Sequence, residues 1–215
     1  MRSTSITGVV ALSVAAACCG VPLAGQTPQV ATPRQTEEDE YTRYELLDAG
    51  TAQFRITYDV TATTPGARFY FNPIRRGSEA SDESVIDLMT GASLRFEIVP
   101  GKQARLEGHP TADTLTSYIK VQLPRAVPPG GEVRLMILKT YRDPLSYRVE
   151  GNRVVFERSL GIRRNAVVLP RGYELVECNV PSQVLSEPDG RVTVSFMNPG
   201  PGAVALVLRG RRLPS

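Results

Sequence analysis

Tryptophan is absent from the 215-residue chain, histidine occurs once, as His109, and cysteine three times. Each scarcity removes a class of chemistry. A zinc hydrolase needs two or three His or carboxylate ligands converging on the metal, often with His-Glu-X-X-His on a helix. His109 stands alone in Gly108-His109-Pro110, a turn context, and reads as a surface loop residue rather than a ligand. A Ser-His-Asp hydrolase would have to recruit the same imidazole, and no Gly-X-Ser-X-Gly elbow is present to complete it. No Gly-rich phosphate loop leads into a helix, so nucleotide cofactors are not expected. Without tryptophan, a sugar-stacking module would rely on Tyr41, Tyr44, Tyr58, Tyr70, Tyr118, Tyr141, Tyr147 and Tyr173. Most of these fall at strand positions where packing explains them. The sequence therefore assigns no catalytic, metal-binding or cofactor-binding residue, and no cofactor.

Net charge is also small, at +3. Arg2 is the single charge within residues 1–25, so the remainder carries 24 bases against 22 acids, or +2. Such a balance gives no bulk attraction to a polyanion, and no nucleic-acid partner is expected. Arg148, Arg153, Arg158, Arg163 and Arg164, and further on Arg209, Arg211 and Arg212, read as solvated strand faces and loops. Acids such as Glu150 and Glu157 are interleaved with the first cluster.

Apolar residues make up 41% of the chain, enough for a real core. Arg2 followed by the apolar stretch 9–19 (VVALSVAAACC) reads as a secretory signal, too short for a stable bilayer-spanning helix. The small residues of Leu23-Ala24-Gly25 place cleavage after Gly25. As an alternative, Ala15-Ala16-Ala17-Cys18 resembles a lipobox without the usual leucine, which would remove residues 1–17 and leave a lipid anchor on Cys18. An uncleaved anchor is the third option. The expected location is periplasmic or extracellular, or a membrane-anchored lipoprotein. Cleavage after Gly25 leaves only Cys178, so no intrachain disulfide can form. Cys178 is in phase with Val176 and Val180 and is expected to be a buried, inert thiol.

Residues 26–40 hold two prolines, several Thr and Gln and an acidic run, and read as a disordered linker. Beyond it the period becomes two. Residues 51–62 alternate Phe54, Ile56, Tyr58 and Val60 with Gln53, Arg55, Thr57 and Asp59, the pattern of a half-buried strand. Hairpins are expected between residues 84–89 and 93–99 across Thr90-Gly91, and between 118–123 and 132–141 across a Pro-rich loop. Two more are expected between 146–150 and 153–158 across Gly151-Asn152, and between 166–169 and 173–180 across Pro170-Arg171-Gly172. Residues 132–141 should be covered on both faces. No window carries a helical stripe. The fold class is all-β, an antiparallel β-sandwich over residues 41–213, as one large sandwich or two small ones divided near 142–144.

Glycosidase-like chemistry needs only two carboxylates. Glu37 to Glu40 read as tail acids, and Glu79, Asp82 and Glu83 as solvated loop acids. A calcium site in the latter loop lacks the EF-hand order.

The strings Lys139-Thr140-Tyr141-Arg142-Asp143-Pro144 and Asn165-Ala166-Val167-Val168-Leu169-Pro170-Arg171-Gly172-Tyr173 resemble uncharacterised secreted bacterial β-sandwich proteins. More remotely, the chain is similar to the non-catalytic N-terminal β-domain of gluzincin-type zinc aminopeptidases. The resemblance rests on strand and turn patterns and carries over no metal or catalytic residue. It implies a recognition or scaffolding module. The function expected is therefore an exported, non-enzymatic β-sandwich that binds a protein or cell-envelope component, through edge strands and segments 72–83 and 101–113. A secreted hydrolase acting through paired carboxylates is the alternative.

Overall fold

The computed structural model describes residues 34–214; the expected signal, Cys18 and most of the expected linker lie outside the described residues. In chain order the elements are β1 (Glu37–Leu46), β2 (Gln53–Ala62), β3 (Phe69–Ile74), β4 (Glu79–Asp87), β5 (Phe96–Pro100), α1 (Gly101–Leu106), β6 (Ser117–Gln122) and β7 (Val133–Arg142). They continue with β8 (Tyr147–Glu150), β9 (Arg153–Leu160), β10 (Arg164–Val168), β11 (Tyr173–Cys178), β12 (Gln183–Ser186), β13 (Val192–Met197) and β14 (Val204–Arg212). The class is all-β, as the period-two patterning implies.

The strands make a seven-stranded sheet in the order β12-β13-β10-β1-β2-β7-β4, a four-stranded sheet β11-β14-β9-β8 and a three-stranded sheet β3-β6-β5. One apolar core draws on all three. Phe54 of β2 meets Phe156 of β9 edge to face at 5.4 Å, joining the large sheet to the four-stranded one. Tyr58 of β2 and Tyr70 of β3 meet through their hydroxyls at 3.2 Å, joining it to the three-stranded one. Alternation along β3 sends Phe71 to the opposite face, into a small second core with Val99, Ala104, Ala112 and Tyr118.

Strand β2 fits its sequence pattern, with Phe54, Ile56, Tyr58 and Val60 buried. Several pairings differ from expectation. The Gly151-Asn152 hairpin forms as β8–β9, whereas the arms flanking Thr90-Gly91 keep a single bridge, Ile86 to Ser93. There β4 pairs with β7 and β5 with β6. The Pro-rich loop does not close a hairpin either, because Val127 exchanges backbone hydrogen bonds with Gly66 and Ala67 (2.8 and 3.0 Å), which carries the chain from the small sheet to the large one. Likewise β10 and β11 belong to different sheets. The sandwich is not wholly antiparallel, since β1 and β10 run parallel. Strands from both sides of 142–144 share the large sheet. On β7, Met136 and Leu138 are only half-buried, so one face carries the core. Segment 101–113 begins with the short helix α1.

Strand β1 starts at Glu37, inside the stretch expected to be linker. A bulge between Glu38 and Tyr41 inserts one residue against β2, with Asp39 at φ 52°. The insertion reverses the alternation, so Glu37 shares the inner face with Glu40, Thr42 and Tyr44. Tyrosine hydroxyls then hold the acids in place, as described next.

Candidate functional site

Residues of all three sheets line a cavity of about 580 Å3. The large sheet contributes Thr42 and Tyr44 from β1, Ile56 and Tyr58 from β2, and Lys139 and Tyr141 from β7. The three-stranded sheet adds Tyr70, Asn72 and Tyr118, the four-stranded sheet Arg158, and the loop after α1 adds His109 and Thr111. Segments 72–83 and 101–113 thus both reach its rim, through Asn72, Pro73 and Arg75 and through His109 and Thr111.

On one wall, Tyr58 donates to Glu40 at 2.5 Å and Tyr70 donates to Glu37 at 2.8 Å, with the two phenols in contact with each other. Burial, reinforced by neighbouring Glu40 and Glu37, pushes both phenols up, so they remain donors. Burial also raises the Glu40 carboxyl; the Tyr58 hydrogen bond opposes this and the Glu37 charge adds to it. The carboxylates that the sequence left in a tail are therefore part of a wall.

Two cations lie in the core beside this wall. Arg158, read from the sequence as a solvated strand residue, is 7% exposed. It is in phase with Val154, Phe156 and Leu160, all buried. Its guanidinium meets Asp143 at 3.1 Å and sits over the rings of Phe54, Tyr141 and Tyr44 at 5.3, 5.5 and 5.8 Å. Asp143 in turn accepts from the Ser146 hydroxyl and amide (2.7 and 3.0 Å) and the Ser78 hydroxyl (3.0 Å). Burial alone would raise its carboxyl, but those hydrogen bonds and Arg158 hold it below the usual range.

Lys139 is different. It occupies the core face of β7, in phase with Val133, Leu135, Ile137 and Tyr141, and is 5% exposed. Its Nζ donates to Asn72 Oδ1 at 2.5 Å and to the Pro73 carbonyl at 3.4 Å. Burial lowers its pKa to about 7, with Arg158 adding to the shift and Glu83 opposing it. Sequence reasoning missed Lys139, although the alternation of residues 133–141 runs straight through it.

Thr42 Oγ1 and His109 Nδ1 are buried without a hydrogen-bond partner among the described residues. The His109 ring stacks on Phe71 (5.7 Å, 14°) and meets Tyr118 edge-on (5.5 Å), so it is a half-buried packing residue rather than a free loop side chain. Cys178 lies apart from the cavity. A bulge between Leu175 and Glu177 shifts the phase of β11, leaving Val176 exposed and Cys178 half-buried against the core with Leu175 and Val180. Among the described residues, no group of three His, Cys, Asp or Glu gathers to hold a metal.

No family model and no curated protein matches the sequence. Among solved structures, the chain is similar to an M1 zinc metallopeptidase from Deinococcus radiodurans, at 13% identity and a TM-score of 0.49, over 80% of this chain and 41% of that one. It is also similar to a two-domain M1 zinc metallopeptidase variant bound to L-arginine, at 14% identity and a TM-score of 0.48, over the same shares. The chain spans less than half the length of these metallopeptidases. These structures are zinc metallopeptidases, the class to which the remote resemblance in the sequence also pointed.

Proposed function

We propose that the chain is an exported, non-enzymatic binding module that takes a polar group of a protein or cell-envelope partner into the cavity between the sheets. The observation that carries this reading is a cavity of about 580 Å3 in whose lining two residues, Thr42 and His109, each have a buried polar atom without a partner among the described residues. Ligand sites commonly fall near ~300–1,000 Å3 and place a few convergent polar groups among apolar walls. A buried polar atom without a partner costs about 1–3 kcal/mol, which a ligand supplying the missing hydrogen bond recovers. Thr42 Oγ1 and His109 Nδ1 both stand to gain in this way.

One observation favours the hydrolase reading: Glu37 and Glu40 face the same cavity. Each, however, is already engaged by a tyrosine hydroxyl, which suits a fixed wall better than a proton shuttle.

Native mass spectrometry of the protein purified from its exported fraction tests the binding reading. Gly161 lines the rim, and a Cβ there meets no atom within 4 Å, so Gly161→Trp can cover the opening without strain. The expected result is a bound mass that the wild type retains and Gly161→Trp loses. Equal retention by both places the ligand elsewhere. The N-terminal mass of the same sample tests export, which requires loss of residues 1–25 or 1–17. A hydrolytic activity abolished by Glu37→Gln and Glu40→Gln would replace this reading with the enzyme.

A further inference from the structure

The geometry points to Lys139 as a nucleophilic amine that captures an aldehyde or ketone ligand in the cavity as an imine. This rests on the cavity being the binding site, and it names the ligand's chemistry. The hydrogen-bond count around the nitrogen is the first argument. An ammonium presents three N–H bonds, whereas a neutral amine presents two and a lone pair. Lys139 Nζ meets two acceptors, Asn72 Oδ1 and the Pro73 carbonyl, and both are neutral; the Tyr141 ring lies farther off, with its centroid at 5.0 Å. Among the described residues, no carboxylate lies within 4.0 Å of it. Two donors satisfied by two acceptors leave the lone pair unused, at a nitrogen that lines an open cavity.

The contrast with the other cations is the second argument. The chain has three lysines. Lys120 is clamped by Glu97 and Glu107 at 2.7 and 2.6 Å, and Lys102 is exposed on α1. Arginine, which the chain uses far more often, cannot deprotonate and so cannot act as a nucleophile. Among the described residues, the buried cations Arg158 and Lys120 are thus paired with carboxylates, and Lys139 is not.

Arg158 on β9 and Glu83 on β4 act on the amine, Tyr141 on its own strand lies beneath it, and Glu37, Glu40, Tyr44, Tyr58, Tyr70 and His109 line the same cavity. Burial is the largest influence on Lys139, and Arg158 acts in the same direction, both favouring the neutral form. At pH 7 an ordinary lysine is neutral to about one part in 2,500, whereas a group titrating near 7 is neutral by about half.

The step balances without a redox partner. The nitrogen lone pair forms a C–N bond as the carbonyl π pair moves to oxygen, and a proton passes from nitrogen to that oxygen to give a carbinolamine. Loss of the hydroxyl together with the second N–H proton releases one water and leaves C=N. Thr42 Oγ1 and His109 Nδ1 favour a carbonyl compound that carries further polar groups.

The test treats the mature protein at pH 7 with glycolaldehyde and cyanoborohydride, then maps the reduced adducts on the three lysines by peptide mass spectrometry. Lys139 is expected to label about tenfold faster than the exposed Lys102. Asn72→Asp keeps the side chain's size but gives Lys139 a carboxylate, which favours its charged form. It should cut labelling of Lys139 about tenfold and leave Lys102 unchanged. Preferential labelling of Lys102, or no effect of Asn72→Asp, overturns the inference. A bound mass that Gly161→Trp abolishes, without labelling at Lys139, refutes the imine and leaves the binding reading intact. Labelling at Lys139 together with a bound mass indifferent to Gly161→Trp has the opposite meaning.

Discussion

Two cations are buried in the same core under opposite terms. Arg158 has a carboxylate at 3.1 Å, two serines that fix that carboxylate, and three aromatic rings around it. Lys139 has an amide oxygen, a backbone carbonyl and a single ring, that of Tyr141 at 5.0 Å, but no carboxylate. The first arrangement is paired, and in that sense closed, because Arg158 Nη1 donates to both the Asp143 carboxylate and the Ser146 hydroxyl. The second is open, and its missing partner faces a cavity. A buried charge without a counterion normally gives up its proton, and the shift of Lys139 towards neutrality follows from that rule. Closed pairs hold the sheets together; the open position is where a ligand can still act.

Breaking the closed pair should have the largest effect. Asp143→Ala leaves Arg158 uncompensated, removes the acceptor for Ser146 and Ser78, and makes the first site resemble the second in lacking a carboxylate. The expected loss is about 3–5 kcal/mol by urea denaturation. A loss under about 1 kcal/mol would show that the pair is not load-sharing in the core.

Removing the open cation should act in the other direction. Lys139→Met replaces an unpaired buried amine with an apolar chain of similar length, and a gain of about 2 kcal/mol is expected at pH 6. The pH dependence has a definite sign. The folded value near 7 lies below the unfolded value of about 10.4, so the unfolded chain binds more protons between them. Wild-type stability from this group is complete above the unfolded value and is lost as pH falls through 7. The advantage of Lys139→Met should therefore shrink between pH 6 and pH 9. A constant difference across that range would mean that Lys139 stays charged in the folded protein.

The same comparison shows what the sequence makes legible. Strand β2 could be read because its apolar and polar residues alternate without interruption. Lys139 and Arg158 are each in phase with a core face, yet their charge masks that phase when residues are sorted by polarity alone. Following the alternation through the charge would have found both. Glu37 and Glu40 were less accessible, because a bulge at Asp39 reverses the phase and depends on pairing with β2. Sheet order was hidden for a similar reason. Strands adjacent in sequence were expected to pair, but the pairings of β4 with β7 and of β1 with β10 are non-local and leave little local signature.

A third variant asks whether partial burial follows the same rule. The sequence places His109 on a surface loop, but its ring packs between Phe71 and Tyr118. His109→Ala should cost about 1 kcal/mol. Burial lowers the imidazole's pKa, with Glu37 opposing and Arg34 adding to the shift. Protonation at low pH therefore penalises the wild type alone, and the stability gap should narrow from pH 8 to pH 5. Equal gaps at the two values would place the ring in water.

The smallest effect is expected at Cys178, where neither charge nor full burial applies. The sequence places this thiol on an apolar face with Val176, but the bulge in β11 exposes Val176 and leaves Cys178 only partly covered. Strand β11 is also an edge of its sheet, so the surroundings can relax around a smaller side chain. A fully buried deletion leaves both a transfer cost and a cavity, whereas a half-buried one lets water take up the space. Cys178→Ala should therefore cost about 0.5 kcal/mol, less than His109→Ala. The native thiol should also react with a maleimide without denaturant, because part of its surface is in contact with solvent. Urea denaturation and alkylation followed by mass spectrometry measure the two quantities on one sample. A loss above about 1.5 kcal/mol, together with a thiol that reacts only after unfolding, would put Cys178 in the closed part of the core alongside Phe156 and Leu208.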